Sequence, residues 1–218
     1  MCIPITSAEL TAATASFSTL LGRGATGAVY AGSHHGTPIA VKLLAAPSAA
    51  EAPPALLAAL RLRFRAELAT LTTFRHPRLV RLLHACEEPL ALVFELLPGG
   101  SLADYLRGAD GAAPPRGALT PLQRCDAALG IAHGLRYLHG LREPGEDGAQ
   151  APVVHRDVKS ANVCFAQLGG ELYAKLIDCG QGPARRRRAA GRLLLLGRAG
   201  HARLHGARAG RRALHSAL

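Results

Sequence analysis

No Asp or Glu follows Asp178 in this 218-residue chain, and that absence decides how its charge is read. The formal net charge of +11 resembles a signature for an anionic partner. Residues 1–178, however, carry 16 Lys+Arg against 15 Asp+Glu, whereas residues 179–218 carry ten Arg. The basicity belongs to the tail, so the total implies no nucleic acid or membrane surface. Clustered arginines do neutralise phosphates, but the tail has no aromatic residue on which bases would stack. A nucleic-acid arm therefore ranks last, and no specific nucleic-acid partner is expected. The five cysteines, Cys2, Cys86, Cys125, Cys164 and Cys179, include no C-x-x-C pair and are odd in number, which points to a reduced setting. Long apolar runs are also missing. Leu193–Leu196 is far too short to span a bilayer, and the first twenty residues lack a basic stretch before an apolar one. No membrane span is expected, although the cytosolic part of a membrane receptor would read the same way.

The length suits one main domain. Residues 20–32, LLGRGATGAVYAG, and 38–44, PIAVKLL, read as two strands joined by a turn at Gly36 and Pro38. Residues 45–59 are rich in Ala and Pro and read as an insertion loop. From Leu56 to Leu71 the apolar positions approach helical spacing. LVRLLHACEE and LALVFELL are strand-length runs, and GGSLADYL begins a helix with Ser101 as its N-cap. A Thr-Pro start opens a long helix over 120–139. A loop at 140–151 precedes VVHRDVKSANVCF and the strand-like ELYAKLIDCG. Strands early and helices late suggest an α+β fold with two lobes.

Gly22, Gly24 and Gly27 form G-x-G-x-x-G. A dinucleotide-binding turn uses the same spacing but needs a helix next, whereas AVYAG continues as a strand. A glycine flap between two strands lets backbone N–H groups approach a nucleotide's phosphates; an ordinary hairpin turn is the alternative for the glycines taken alone. Lys42 ends an apolar strand, an unusual place for a snorkelling surface lysine. Glu67 on a basic helix is also what a solvated partner of an arginine looks like. His76, His84, His133 and His139 show no metal-like grouping and read as structural.

The ordered series Gly22-x-Gly24-x-x-Gly27, Ala40-Val41-Lys42, Glu67, His155-Arg156-Asp157, Asn162 and Asp178-Cys179-Gly180 resembles a eukaryotic protein kinase over residues 17–180. RHPRLVRLL, LVFELLPGGSLADYL, IAHGLRYLH and HRDVKSANV are similar to the receptor-like and Pelle-type kinases, and Lys159 fits the serine/threonine pattern. The resemblance implies an N-lobe of antiparallel sheet plus one regulatory helix (17–97) and a mostly helical, incomplete C-lobe (98–180). Residues 1–16 would be a lead, and 181–218 a disordered or out-of-frame tail. It implies ATP and Mg2+ as cofactors, a protein substrate, and a cytoplasmic setting or the cytosolic side of a receptor. Asp157 would accept the substrate hydroxyl's proton and Lys159 would offset charge on the moving phosphoryl group. Asn162 and Asp178 would hold the metal, with Lys42 on the α/β-phosphates and paired to Glu67. Leu21, Gly22, Arg23, Gly24, Ala25, Thr26, Gly27, Ala28 and Val29 would cover the nucleotide. Ala40, Phe94, Glu95 and Leu97 would line the adenine.

Two departures stand out. Cys179 replaces the Phe usual after the metal-binding Asp, so the active arrangement is expected to be less well held; Cys164 stands where a Leu usually lies beneath the adenine. The activation loop, the Ala-Pro-Glu motif and the later helices do not appear. HARLHGARAG (201–210) is compatible, read one base later, with Thr-Pro-Gly-Tyr-Met-Ala-Pro-Glu-Leu, a segment like the family's own. A frame change between Asp178 and Gly200, testable in the nucleotide sequence, is the expectation. Activity would then be impaired, and a catalytically inactive ATP-binding or scaffolding module is the alternative.

Overall fold

A computed structural model describes residues 2–24, 27–44, 53–106, 116–144 and 150–179. Ala25 and Thr26, residues 45–52 of the expected insertion loop and the whole 181–218 tail, including HARLHGARAG, lie outside the described residues.

Six strands form one sheet: β1 (Ile3–Pro4), β2 (Leu20–Gly24), β3 (Gly27–His34), β4 (Thr37–Leu44), β5 (Leu82–Glu87) and β6 (Leu90–Glu95), in the order β1-β5-β6-β4-β3-β2. All neighbours are antiparallel except β1 and β5. Because side chains alternate across a sheet, β4 sends Ile39 and Val41 to one face and Ala40, Lys42 and Leu44 to the other. Ile39 and Val41 join Ala91 and Val93 of β6 in a core closed by Leu10 of helix α1 (Ser7–Ala13). Leu44, Leu90 and Leu92 pack instead with Phe64 and Leu71 of helix α2 (Pro54–Thr73).

Helix α2 shows why the Pro53–Pro54 pair does not break it. Pro53 is the N-cap and Pro54 the first helical residue, where a missing N–H costs nothing. The expected loop therefore yields to helix from Pro54 onward.

Residues 1–16 do more than lead in. Thr6 and Glu9 form a reciprocal capping box at the start of α1, and the helix lies against β3 at Gly32. A Cβ there would stand 2.4 Å from the Ala13 carbonyl oxygen. Gly32→Ala is therefore expected to push α1 off the sheet and cost about 1–3 kcal/mol of unfolding free energy, read by urea denaturation.

The second lobe holds α3 (Leu102–Leu106), α4 (Pro121–Gly140), a small hairpin of β7 (Arg142–Pro144) and β8 (Gln150–Pro152), and the hairpin of β9 (Val163–Leu168) and β10 (Glu171–Leu176). Ser101 caps α3 as expected, accepting from the Asp104 N–H while Asp104 accepts from the Ser101 N–H. Ala127, Gly130, Gly134 and Leu138 make the buried stripe of α4, and the two glycines allow close approach to Arg78 and Leu176. Leu122 and Leu129, on its other side, are exposed. The β7/β8 hairpin takes up most of the 140–151 stretch that the sequence presented only as a loop and ends one residue beyond it, at Pro152.

Candidate active site

The strand alternation that buries Ile39 and Val41 turns Lys42 toward α2, where Glu67 shares the buried stripe of Phe64 and Leu71. Lys42 is 6% exposed and Glu67 8%. Lys42 Nζ lies 3.2 Å from Glu67 Oε1 and 2.8 Å from Asp178 Oδ1. Burial, the largest single influence, pulls the lysine's pKa down, but the two carboxylates and their hydrogen bonds outweigh it and hold the pKa above the ordinary lysine value. Asp178 itself sits at φ +60° just beyond β10.

His155 organises the second half of the site. Its ring is buried, with Nε2 2.9 Å from the Ile177 carbonyl oxygen and Nδ1 accepting from the Asp157 N–H at 3.4 Å. One side chain thus links the segment before Asp178 to the loop carrying Asp157. The Ile177 N–H donates to the Asn162 carbonyl at 3.0 Å, closing that link. Asn162 Nδ2 donates to the Asp157 carbonyl and to Asp157 Oδ2, each at 2.9 Å. Lys159 Nζ donates to the same Oδ2 at 2.5 Å. The Lys159 hydrogen bond first, helped by Asn162, holds the Asp157 carboxyl below the ordinary aspartate value despite some desolvation.

β2 and β3 pair antiparallel through Gly22↔Val29, Arg23↔Ala28 and Gly24↔Gly27, so Gly27 opens a strand, not a helix. Leu21 stands half exposed on β2. Phe94 pairs with Ala40 across β6 and β4. At the connection between the lobes, the Glu95 N–H donates to the Arg81 carbonyl at 3.1 Å and the Leu97 carbonyl accepts from the Gly100 N–H at 3.4 Å. Cys164 lies on β9, bridged to Ser101, and burial pushes its thiol up to about 11. Cys179 is 2% exposed within the core that includes Leu71 and Leu79; burial, with Asp178 adding, pushes it up to about 12. Both thiols are protonated small apolar groups here.

The sequence did not point to Lys175. Its Nζ lies 2.6 Å from Glu95 Oε1, an oxygen that also accepts from the Arg81 N–H at 2.9 Å. β10 is thereby fastened to the strand end that leads into the second lobe. His155, too, carried no assigned part beyond its place in the motif.

A protein kinase domain family model matches residues 16–189. A probable leucine-rich-repeat receptor-like serine/threonine-protein kinase of Arabidopsis thaliana is 37% identical over 178 residues, covering 80% of this chain and 18% of its own length. The receptor-like kinase TMK4 of the same plant is 38% identical over 167 residues, covering 74% of this chain and 16% of its own length. The chain spans less than a fifth of the length of these relatives. Among solved structures, an apo pseudokinase superposes with a TM-score of 0.66 at 25% identity, over 82% of this chain and 59% of its own. The chain belongs to the protein kinase domain family, and its relatives include receptor-like serine/threonine kinases. Among the described residues no helix is long and apolar enough to cross a membrane.

Proposed function

We propose that the domain binds ATP with Mg2+ and transfers its γ-phosphoryl group to a serine or threonine hydroxyl of a protein, from the cytosolic side of the cell. The observation that carries this reading is the ion-paired set Lys42, Glu67 and Asp178 meeting the Asp157–Lys159–Asn162 cluster through His155 and Ile177.

The residues suit the cation. Asn162 spends its amide nitrogen on Asp157, which leaves a neutral oxygen donor. Lys42 takes one oxygen of Asp178, which leaves a second, charged one. Two hard oxygen donors are what Mg2+ takes from protein when phosphates complete its shell. The bound ion supplies positive charge to the phosphate oxygens. Lys42, held cationic by its two carboxylates, reaches the α/β-phosphates. Backbone N–H groups of the Gly22–Gly27 flap cover them, Ala40 and Val29 pack on the adenine, and Phe94 guards its back. The Glu95 carbonyl and Leu97 N–H read its edge. Asp157 takes the proton from the substrate hydroxyl as its oxygen bonds to the γ-phosphorus. The bond to the β–γ bridging oxygen breaks and ADP leaves. Lys159 offsets the charge on the moving group, and positioning supplies most of the rate.

The pseudokinase likeness and Cys179 favour one second reading, an ATP-binding module without transfer. Incubation of the chain with radiolabelled ATP, Mg2+ and a generic basic protein decides between them. Magnesium-dependent labelling supports the enzyme; thermal stabilisation by ATP without labelling supports the module. Absence of both effects overturns both readings.

A further inference from the structure

An ion pair at each end of the proposed nucleotide slot joins a residue before 98 to one beyond it. Lys42–Asp178, at 2.8 Å, stands at the phosphate end. Lys175–Glu95, at 2.6 Å, stands at the adenine end, with side chains 16% and 21% exposed. The first pair is made of the groups that phosphates and metal claim. The second is not, because Glu95 meets the adenine through its backbone carbonyl and keeps its carboxylate for Lys175.

Most of what holds Glu95 comes from its own lobe. Its N–H donates to the Arg81 carbonyl at 3.1 Å, and its Oε1 accepts from the Arg81 N–H at 2.9 Å. The next N–H, of Leu96, reaches the Pro38 carbonyl at 3.3 Å. Lys175 supplies the tie to the other lobe. It lies on β10 opposite Cys164 of β9, three residues before Asp178. The path of β10 is fixed without it, since the Leu176 N–H donates to the Arg78 carbonyl and the Leu176 carbonyl accepts from the Val80 N–H, each at 2.9 Å. What the ammonium adds is a set place for Glu95 against the β9/β10 hairpin. Without it, a mostly buried carboxylate keeps a single backbone donor and is drawn toward water.

We propose that Lys175 is a positioning residue for the nucleotide: through Glu95 it pins the strand end that reads the adenine edge to the hairpin that carries Cys164 and leads into Asp178. The proposal rests on the nucleotide reading above. Lys175 touches neither nucleotide nor metal and acts only through Glu95. The pin keeps the adenine end of the slot at one width while Lys42 and Asp178 engage phosphates and metal, so the base and the γ-phosphoryl group stay in one register.

Hydrogen exchange on the full chain without nucleotide reads the pin itself. In Lys175→Met, protection of the Glu95 and Leu96 amides is expected to fall about tenfold, the scale of one hydrogen bond to a charged group, while the α4 amides of Ala127–Leu138 hold theirs. Calorimetric titration reads the consequence. Adenosine, and ATP with Mg2+, should each bind roughly fivefold weaker or more, as for two coupled sites. Lys175→Arg, which keeps the cation, should restore both, and adding Glu95→Gln to Lys175→Met should cost nothing further. Glu95→Gln alone, which keeps the acceptor and loses the charge, should show the same losses in smaller measure and serves if Lys175→Met does not fold. Unchanged Leu96 protection, an equal loss along α4, or an unchanged affinity for adenosine overturns the proposal. A wild-type chain that binds neither ligand overturns the nucleotide reading and the positioning role with it, even where the exchange result holds.

Discussion

Replacing Lys42 with methionine is expected to lower the unfolding free energy by about 3–5 kcal/mol, the range for stripping one partner from a buried ion pair, and to abolish stabilisation by ATP. The ammonium lies between two carboxylates at 3.2 and 2.8 Å. Methionine matches its stem closely, so little packing is lost and the effect isolates the charge. What remains is Glu67 facing Asp178 with no cation between them, the first of them nearly dry. The penalty comes from that stranded pair more than from the lost attraction, so Lys42→Met combined with Glu67→Gln should recover part of the loss. The pH dependence has a definite sign. Lys42 is held above its ordinary pKa, so its contribution is full below about pH 10.4, the unperturbed lysine value, and is lost as pH rises through the raised one. Urea titrations should therefore show a constant gap between wild type and Lys42→Met from neutral pH to about pH 10, closing above it. A gap below about 1 kcal/mol at neutral pH would mean that the pair behaves as an exposed one.

Much of this site can be read from residue order because each catalytic candidate sits in a local pattern with its own physical reason. Lys42 shows itself as a charge at an apolar strand position, and the structure buries it where the alternation directs. The glycine flap declares itself because Gly27 opens a strand and not a helix. Glu67 is ambiguous on its own helix, because its partner Lys42 lies on strand β4, 25 residues away. Only the fold distinguishes a buried partner from a solvated one. The Lys175–Glu95 pair, 80 residues apart, carries no local pattern at all. His155 is similar, since its work is done through Ile177 backbone atoms. The N-terminal segment is different: Thr6-Ser-Ala-Glu9 before Leu10 is a capping-box signature, so α1 is legible within what otherwise reads as a lead. The β7/β8 hairpin is not legible, because its three-residue strands are too short for any period to show.

Asp157→Ala is expected to reduce phosphoryl transfer by about 10²–10⁴-fold, the span for removing a positioned general base, with thermal stability and ATP-induced stabilisation nearly unchanged. The carboxylate is half exposed and belongs to no core cluster, so its loss should leave the fold intact and act on the rate. Asp157→Asn separates its two possible contributions. Asparagine can still accept from Lys159 and Asn162 and so preserves the loop, but it cannot take a proton. Comparable losses in both variants assign the effect to the base, whereas an Asn variant within tenfold of wild type would reduce Asp157 to a positioning group. The acid side of the rate profile gives an independent reading. Lys159, then Asn162, lower the pKa of Asp157, so the base stays ionised well below neutral pH, and its inflection should fall below about 3.9, the unperturbed aspartate value. Lys159→Met removes the strongest of those influences and should move the inflection upward. That shift, measured in single-turnover assays with Mg2+ and ATP, depends on the 2.5 Å contact between Lys159 and Asp157 and would be absent if the two side chains act separately.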